Sequence, residues 1–322
     1  MLALFTVCGI VPLTQNSSLA QSQTFPIRPI KVVVQFPSGS ATDIGIRVMT
    51  DRMMGRLGQT VLVESRPGAG GAIATNYVKS QAPDGYTLLV SSSTMSITSA
   101  LPNPPYDIRR DLTHIVPTIG GPLVIAISTA KLPNVRTLKD LIDYAKANPG
   151  TVNFGSYGTG STAHLAIELF NQLADVNTVH IPYKGSAASI LALASGDSHA
   201  TLDVMLSLAP QIQAGKARAI VTTSPQRSAL MPDLPAMVES GLPAYNVTFW
   251  QGISAPVGLP KDIVGKLNAV VNASMQDQAV QDWAKRTQSQ IVGGTSDALT
   301  ETVNREVATW EKLIRDRKIQ IE

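Results

Sequence analysis

Two loops rich in glycine, serine and threonine stand at corresponding places in the two halves of the chain, at residues 36–43 and 154–161. Each loop follows a short apolar segment typical of a strand and precedes a segment with the apolar spacing of a helix. A strand that ends in such a loop and leads into a helix presents free backbone N–H groups, small hydroxyls and the positive end of a helix dipole. Two such loops facing each other predict a clamp for a small polar ligand.

Strand-like and helix-like segments alternate through the first half of the chain. The predicted order is strand 30–36, helix 44–57, strand 61–64, helix 72–80 and strand 86–90. This order predicts a parallel sheet with right-handed crossovers. The middle repeats the alternation, with strands at 123–127, 152–154, 179–183 and 219–222 and helices at 137–147 and 163–173. Ligands of open α/β sheets bind beyond the carboxyl ends of the strands, so a cleft between two such domains is the predicted site.

Length and charge narrow the possible partners. A chain of 322 residues is expected to form about two domains. The 26 lysines and arginines nearly balance the 23 aspartates and glutamates, and no dense basic run with interleaved aromatic residues occurs. We therefore expect no nucleic-acid partner, and we expect a monomer.

The amino terminus has the character of a secretory signal peptide. Residues 1–20 carry no charge, and an apolar stretch from Leu2 to Leu13 is followed by small residues at Ser18 and Ala20. The stretch is short for a membrane span, so we predict cleavage after Ala20 and export of the mature chain. Cys8 is the single cysteine, so the mature chain has neither disulfide bonds nor cysteine metal ligands.

Enzyme patterns fit the second loop poorly. Gly158, Gly160 and Ala163 match the loose dinucleotide pattern, but three residues separate Gly158 from the strand end at Phe154, where a Rossmann turn needs its first glycine close to the strand. Ser161 stands where a phosphate-binding loop needs lysine, and Phe154 breaks a nucleophile elbow. An NAD(P)-dependent oxidoreductase remains an alternative, and no cofactor is predicted.

The histidines give no metal-binding pattern in the sequence. His114, His164, His180 and His199 form no H-x-x-x-H pair, and none lies near a second histidine along the chain. His164 stands in the first turn of the helix after the second loop, so it either orients that loop or touches the ligand. We predict no metal site.

Further polar residues are candidates for the cleft. Asp43 could receive a ligand amine or hydroxyl, or it could pair with Arg47 one turn along the helix. The hydroxyl-rich segment 91–94, which includes Ser92, follows the third strand; it either opens onto the cleft, where small hydroxyls suit an oxyanion, or is a solvated loop. Tyr183 follows another strand, and Asp203 could reach the ligand or hold backbone N–H groups.

The ordered motifs resemble one family through nearly the whole mature chain. The segments that carry the resemblance are 25–30, 36–43, 64–71, 83–89, 105–107, 157–161 with 164–165, 180–185 and 250–256. They are similar to those of the substrate-binding proteins of tripartite tricarboxylate transporters, also called Bug receptors. The resemblance implies a type II-like periplasmic binding protein, an α/β "Venus flytrap" with a ligand cleft between two lobes. We expect lobe 1 to comprise residues 21–121 and 250–322, and lobe 2 to comprise residues 122–249.

The resemblance also implies how the ligand is held. Both loops are expected to bind a ligand carboxylate through backbone amides, hydroxyls and bridging water, without arginine. Carried over by position, the binding residues are Ser38, Gly39, Ser40, Ala41, Thr42 and Asp43 in the first loop and Ser156, Tyr157, Gly158, Thr159, Gly160 and Ser161 in the second. The family usually reads Phe-Pro-Ala-Gly-Gly in the first loop, and Ser38 and Ser40 here favour a more polar ligand.

The sequence therefore predicts a non-catalytic periplasmic receptor. It is expected to capture a small organic acid, or a related amide, and to deliver it to transporter subunits in the cytoplasmic membrane. A sensor that presents its ligand-bound form to a signalling partner is a further alternative, and it uses the same site.

Overall fold

The computed structural model describes residues 25–229, 231–287 and 289–321. The predicted signal peptide and its cleavage site lie outside these residues. No helix in the described ranges combines the length and the apolar character needed to cross a membrane.

Helices and strands alternate along most of the described chain. The strands are β1 (Ile30–Val34), β2 (Val61–Ser65), β3 (Thr87–Ser92), β4 (Leu112–Pro122), β5 (Val124–Ser128), β6 (Asn153–Ser156), β7 (Val179–Pro182), β8 (Ala200–Asp203), β9 (Ala217–Thr222), β10 (Thr248–Pro256) and β11 (Gln290–Ile291). The α-helices are α1 (Ala41–Leu57), α2 (Ala72–Lys79), α3 (Ser93–Ser99), α4 (Ile108–Asp111), α5 (Leu138–Ala147), α6 (Thr162–Ala174), α7 (Ser186–Ser195), α8 (Met205–Gln213), α9 (Lys261–Met275), α10 (Gln278–Arg286) and α11 (Ser296–Arg317). A 3-10 turn spans Ala69–Gly71.

Local sequence signals set several of these boundaries. Helix α1 ends before Gly58, whose φ of 65° is the left-handed conformation that glycine adopts at low cost. Helix α5 begins with a capping box in which Thr137 accepts from the N–H of Asp140, and the Asp140 carboxylate accepts from the N–H of Thr137. Both predicted boundaries are confirmed to within one residue.

The first sheet has six strands in the described residues, in the order β11-β4-β10-β3-β1-β2. Strands β1, β2 and β3 are parallel, as predicted from the strand–helix alternation. Strand β10 inserts antiparallel between β3 and β4. The predicted strand end at residue 90 is wrong, because β3 continues through Ser92 and α3 begins at Ser93, and the alternative of a solvated loop at 91–94 fails with it.

The second sheet has the order β7-β6-β8-β5-β9 in the described residues. Strands β6, β7 and β8 are parallel, but β5 runs antiparallel to both β8 and β9. The repeat of an all-parallel sheet expected for the middle of the chain is therefore wrong. Strand β5 follows β4 of the other sheet without a helix between them, so it does not belong to a strand–helix–strand unit of this sheet.

The chain crosses from one sheet to the other at two places, and the side chain of Thr223 contacts both crossing segments. One passage is Leu123, between β4 and β5, and the other joins β9 to β10. The buried hydroxyl of Thr223 accepts from the N–H of Leu123 (2.8 Å) and lies 2.6 Å from the carbonyl oxygen of Val247, to which it can donate. The six-stranded sheet draws on residues before 123 and after 247, and the five-stranded sheet on the residues between.

Helix α11 contacts elements of both sheets. It packs against β4 and α3 on one side and against α6 on the other. Trp310 is buried in this contact, and Arg317 pairs with Glu168 of α6 at 3.0 Å. Helix α11 therefore links elements that belong to the two halves of the molecule.

Gly45 in α1 allows Trp283 of α10 to pack against the helix. An added Cβ would lie 2.3 Å from Cζ2 of the buried indole, so Gly45→Ala requires Trp283 to move. We expect this substitution to lower the free energy of unfolding by about 1–3 kcal/mol, as measured by urea denaturation. The control is Gly55→Ala in the same helix, where a Cβ meets nothing within 4 Å. That variant should gain about 0.5–1 kcal/mol, and an equal gain from Gly45→Ala would contradict the packing argument.

Candidate functional site

A cavity of about 460 Å³ lies between elements of the two sheets. Its polar lining comprises Thr42, Ser92, Ser93, Thr94, Tyr157, Thr162, Ser186, Asp203, Ser207, Ser228, Gln251, Thr287, Ser289 and Gln290. Aromatic side chains of Phe36, Phe249, Trp250 and Trp283 form much of its apolar wall. The volume falls in the range that small-molecule sites occupy.

Five helices begin in the wall of this cavity. Helices α3, α6 and α7 contribute their first residues, and α1 and α8 contribute residues of their first turns. A helix amino terminus carries unpaired N–H groups and about half a positive charge. Among the described residues in the wall there is no lysine, arginine or histidine, so positive potential comes from these backbone dipoles.

The helix starts differ in how their N–H groups are used. Ser40 caps α1 by accepting from the N–H of Asp43 (3.2 Å), and Ser161 caps α6 by accepting from the N–H of His164 (3.2 Å). Helices α3, α7 and α8 have no side-chain cap within the described structure. A side-chain cap uses only one of the first N–H groups of a helix, so every one of these helix starts keeps N–H groups for water or a ligand, and the three uncapped helices keep the most.

The carboxylate of Asp43 accepts a hydrogen bond from the backbone of the first loop. Asp43 is buried, accepts from the N–H of Gly39 (2.9 Å) and forms a two-point ion pair with Arg47 (2.9 and 3.1 Å). The pairing with Arg47 is the main reason that the pKa of Asp43 lies below its ordinary value. Thr42 lies in the cavity wall, whereas Ser38, Gly39, Ser40, Ala41 and Asp43 are outside it, the last two of them in the first turn of α1.

Two stacked histidines contact the second loop. The imidazole rings of His164 and His180 stack with their centroids 3.8 Å apart. His164 Nδ1 accepts from the N–H of Gly160 (3.1 Å), and His180 Nε2 lies 2.6 Å from the Ser156 hydroxyl. Burial lowers the pKa of His164, and it lowers that of His180 to about 4, so both rings are neutral at pH 7. The pairing of β6 with β7 brings these distant residues together, which the sequence did not reveal.

Tyr157 is the residue of this loop that lines the cavity. Gly158 accepts from the N–H of Ser161, which closes the turn below α6, and Thr159 is exposed at the tip. Tyr183 follows β7 with its ring against Gly155 and lies outside the cavity wall. Tyr157 is thus placed in the cavity wall. The predicted contacts of the loop residues with a ligand stay predictions.

Thr42, Ser92 and Gln251 are polar residues of the wall, and Gln35 contacts Ser92 from outside it. Gln251 Nε2 donates to Thr42 Oγ1 (2.8 Å), and the Gln35 amide donates to the Ser92 hydroxyl. Within the described structure the buried Oε1 of Gln251 has no hydrogen-bond partner, which leaves an acceptor at the cavity. Sequence reasoning missed both glutamines, although Gln35 stands at the end of the first predicted strand and Gln251 lies in a motif that carries the family resemblance.

Asp203 occupies the part of the wall where α7 and α8 begin. Its Oδ2 accepts from the Ser186 hydroxyl (2.5 Å), and its Oδ1 accepts from the N–H of Val204 (2.8 Å). Burial raises its pKa, and burial together with the nearby Asp203 charge raises the pKa of Tyr157. Asp203 is the one charged side chain among the described residues of the wall.

Contacts of three wall residues connect the wall across the two halves and to α11. The hydroxyls of Ser93 in α3 and Thr162 in α6 lie 3.3 Å apart, which links helices from the two halves. Trp250 donates its indole N–H to the buried carboxylate of Glu306 in α11 (2.7 Å). A cavity with apolar rings, neutral hydroxyls and helix termini can bind a small anion without a salt bridge.

Comparisons with known proteins give the same classification. The family model described as "Tripartite tricarboxylate transporter family receptor" matches residues 46–319. BugT of Bordetella pertussis is 34% identical over 320 residues, which covers 98% of each chain. A protein encoded in the tcbD-tcbE intergenic region of Pseudomonas sp. strain P51 is 33% identical and covers 95% of this chain and 92% of its own.

Solved structures agree in fold. Rpa4515 of R. palustris, solved with adipate, is 31% identical with a TM-score of 0.75, covering 90% of this chain and 97% of its own. MatC of Rhodopseudomonas palustris, with bound malate, is 29% identical with a TM-score of 0.74, covering 90% and 100%. Because the family model spans most of the chain and BugT matches nearly all of it, this protein belongs to the tripartite tricarboxylate transporter receptor family, whose members are two-lobed α/β periplasmic solute-binding proteins.

Proposed function

We propose that this protein captures a small organic acid in the cavity between its two sheets and delivers it to the membrane subunits of a tripartite tricarboxylate transporter. The observation that carries this proposal is the convergence of five helix amino termini on a cavity whose described wall contains no cationic side chain. Helix termini and hydroxyls stabilise an anion by dipoles and hydrogen bonds rather than by a full opposite charge. Relatives solved with adipate and malate support an acid as the ligand class.

Binding of the acid by neutral groups rather than by a cation suits a transport receptor. A hydrogen bond between neutral partners is weaker than a charge-assisted one, so the ligand can be released again. We propose that the residues around Thr42, Ser92 and Tyr157 contact the ligand and that both glycine-rich loops approach it as the lobes close. The proposed lobes are residues 21–121 with 250–322, and residues 122–249. The two chain passages joined by Thr223 are the proposed hinge.

We also propose that the receptor is not catalytic and, as the family match suggests, that it is exported to the periplasm, where we expect a monomer. Helix α6, which would have to hold a pyrophosphate in the oxidoreductase alternative, is capped by Ser161, and the N–H of Gly160 is used by His164. A sensor role remains compatible with the site. It differs from transport only in its membrane partner.

Isothermal titration of the mature chain tests ligand capture. The chain should be denatured and refolded first, so that any ligand carried through purification is removed. We expect at least one small carboxylic acid or its amide to bind with one-to-one stoichiometry and to raise the melting temperature. At 100 times the dissociation constant, the added stability is about 2.7 kcal/mol. Binding of NAD alone, or of nothing in a panel of organic acids, amino acids and amides, would contradict the proposal.

Delivery is tested separately by uptake of the identified acid. Deleting the gene should abolish high-affinity uptake, and restoring it should recover uptake. If uptake is unchanged while a membrane signalling protein co-purifies with the ligand-bound receptor, the sensor role is the correct one.

A further inference from the structure

A buried carboxylate contacts the cavity wall from outside it. Glu306 in α11 is 8% exposed, and its Oε2 accepts the indole N–H of Trp250 at 2.7 Å. Trp250 belongs to the wall, whereas Glu306 does not. We propose that Glu306 is a positioning residue that sets how tightly the cavity holds an acid, through the orientation of the Trp250 ring and through its own charge. This inference rests on the proposed function and specifies how that site is regulated.

The hydrogen bond fixes the orientation of the Trp250 ring. Strand β10 carries Trp250 between β3 and β4, and the ring is buried. The position of Glu306 is set independently, because α11 packs against β4 and α3. A buried indole N–H that loses its acceptor costs free energy, so without Glu306 the ring either turns away or leaves this group unpaired. Either result changes the surface that a ligand meets.

The Glu306 carboxyl group changes its charge near neutral pH. Its hydrogen-bond donor, the Trp250 indole, is neutral, and the neighbouring Arg305 is exposed and forms no ion pair with it. A buried carboxylate without a paired cation favours its protonated form. Burial accordingly raises the pKa of Glu306 to about 7, although Trp250 and Arg305 both act to lower it.

The other ionisable groups on elements that pack against α11 are paired or neutral in this pH range. Helix α3 and strand β10 contain none, and the groups on β4, α6 and α4 are His114, His164, Glu168, Arg109, Arg110 and Asp111. Glu168 pairs with Arg317, and the charges of α4 pair with Asp107 or Lys79. Burial lowers the pKa of both histidines from 6.5. Glu306 is therefore the group in this region that titrates near pH 7.

The charge of Glu306 opposes an anion in the cavity. At an effective dielectric constant of 20, two like charges about 12 Å apart repel enough to change an affinity about tenfold. The protonated form of Glu306 therefore binds an acid more tightly than the ionised form. Because the coupling is reciprocal, the bound acid raises the pKa of Glu306, and binding near pH 7 takes up part of a proton. The affinity should fall as pH rises through 7.

Isothermal titration at pH 6 and pH 8.5 tests this coupling. The probes are hexanoate, adipate and malate, and the acid that binds most tightly is used for all variants. The wild-type chain should bind it at least threefold more tightly at pH 6. In Glu306→Gln, which keeps an oxygen acceptor and has no charge, this ratio should fall below 1.5. Glu301→Gln, at an exposed position of the same helix, is the control and should keep the wild-type ratio.

A further variant tests the role of the hydrogen bond. Glu306→Met is similar in length to glutamine and removes the oxygen acceptor, so it should bind the acid at least fivefold more weakly than Glu306→Gln at both pH values. The nuclear magnetic resonance signal of the Trp250 indole N–H, assigned with Trp250→Phe, provides a second readout. In the ligand-free wild-type chain this signal should move with pH, with a midpoint near 7, as its acceptor ionises.

Several results would overturn the inference and leave the receptor function standing. They are a wild-type affinity that does not change with pH, a ratio that persists in Glu306→Gln, and a ratio that disappears in Asp203→Asn instead, which would assign the proton to Asp203. Equal affinities of Glu306→Met and Glu306→Gln, or a Trp250 signal that does not move with pH, would overturn it as well. Failure of every acid to bind at either pH would contradict the proposed function, and this inference with it.

Discussion

Replacing Thr42 with aspartate should reduce the affinity for the bound acid at least 100-fold. Thr42 lies in the first turn of α1 and in the cavity wall, where we propose that it contacts the ligand carboxylate. Two carboxylates about 4–5 Å apart repel by about 3–4 kcal/mol at an effective dielectric constant of 20. The affinity is measured by isothermal titration with the acid found for the wild-type chain.

The control for this change is Thr42→Asn, which has the shape of aspartate without its charge. Both replacements keep an oxygen that can accept from Gln251, as Thr42 Oγ1 does at 2.8 Å. An acidic residue in the first turn of a helix is tolerated, so Thr42→Asp should unfold no more easily than the control. A loss of affinity in the asparagine variant as large as in the aspartate variant would show that shape, rather than anion recognition, governs this position.

Glu306→Gln should make the stability of the protein less dependent on pH. Burial raises the pKa of Glu306 from an ordinary 4.5 to about 7, although Trp250 donates to its carboxylate. Between these values the folded state holds a proton that the unfolded state has lost, so this group makes unfolding easier as pH rises. We expect the stability of Glu306→Gln, relative to wild type, to increase by about 3 kcal/mol from pH 4 to pH 9.

Urea denaturation at the two pH values measures this difference. Glu301→Gln, at an exposed position of the same helix, is the matched control and should change stability equally at both. Comparing each variant with wild type at the same pH cancels the titration of other groups. A Glu306→Gln variant that parallels the wild-type pH profile would show that the carboxylate is not held in a buried, raised-pKa state.

The family resemblance seen in the sequence motifs is confirmed. Parts of the fold were also predicted correctly from local sequence signals. The strand–helix alternation of the first half gave the parallel arrangement of β1, β2 and β3, and the Thr137 capping box gave the start of α5. These features depend on residues close together in the sequence. The resemblance added the two-lobed fold, because its motifs recur in order along nearly the whole chain.

Features that depend on distant partners were not predicted. Strand β4 is paired mainly by β10, more than a hundred residues further along the chain, and the sequence offered no sign of that pairing. The His164–His180 stack likewise requires β6 and β7 to be aligned first. The hydroxyls of Ser40 and Ser161 show a related difficulty, because a loop serine can cap its own helix or face a ligand, and only the folded geometry shows the capping bonds.

Hydrogen exchange with and without the bound acid tests the central claim most directly. The claim is that a small acid binds between the two sheets, against helix starts whose N–H groups lack side-chain caps. We expect slower exchange in peptides that cover residues 92–96, where α3 begins without a side-chain cap in the wall. Protection confined to residues 298–305, which contribute to the wall of a neighbouring cavity and not to this one, or no protection of 92–96 by a ligand that binds, would contradict the account.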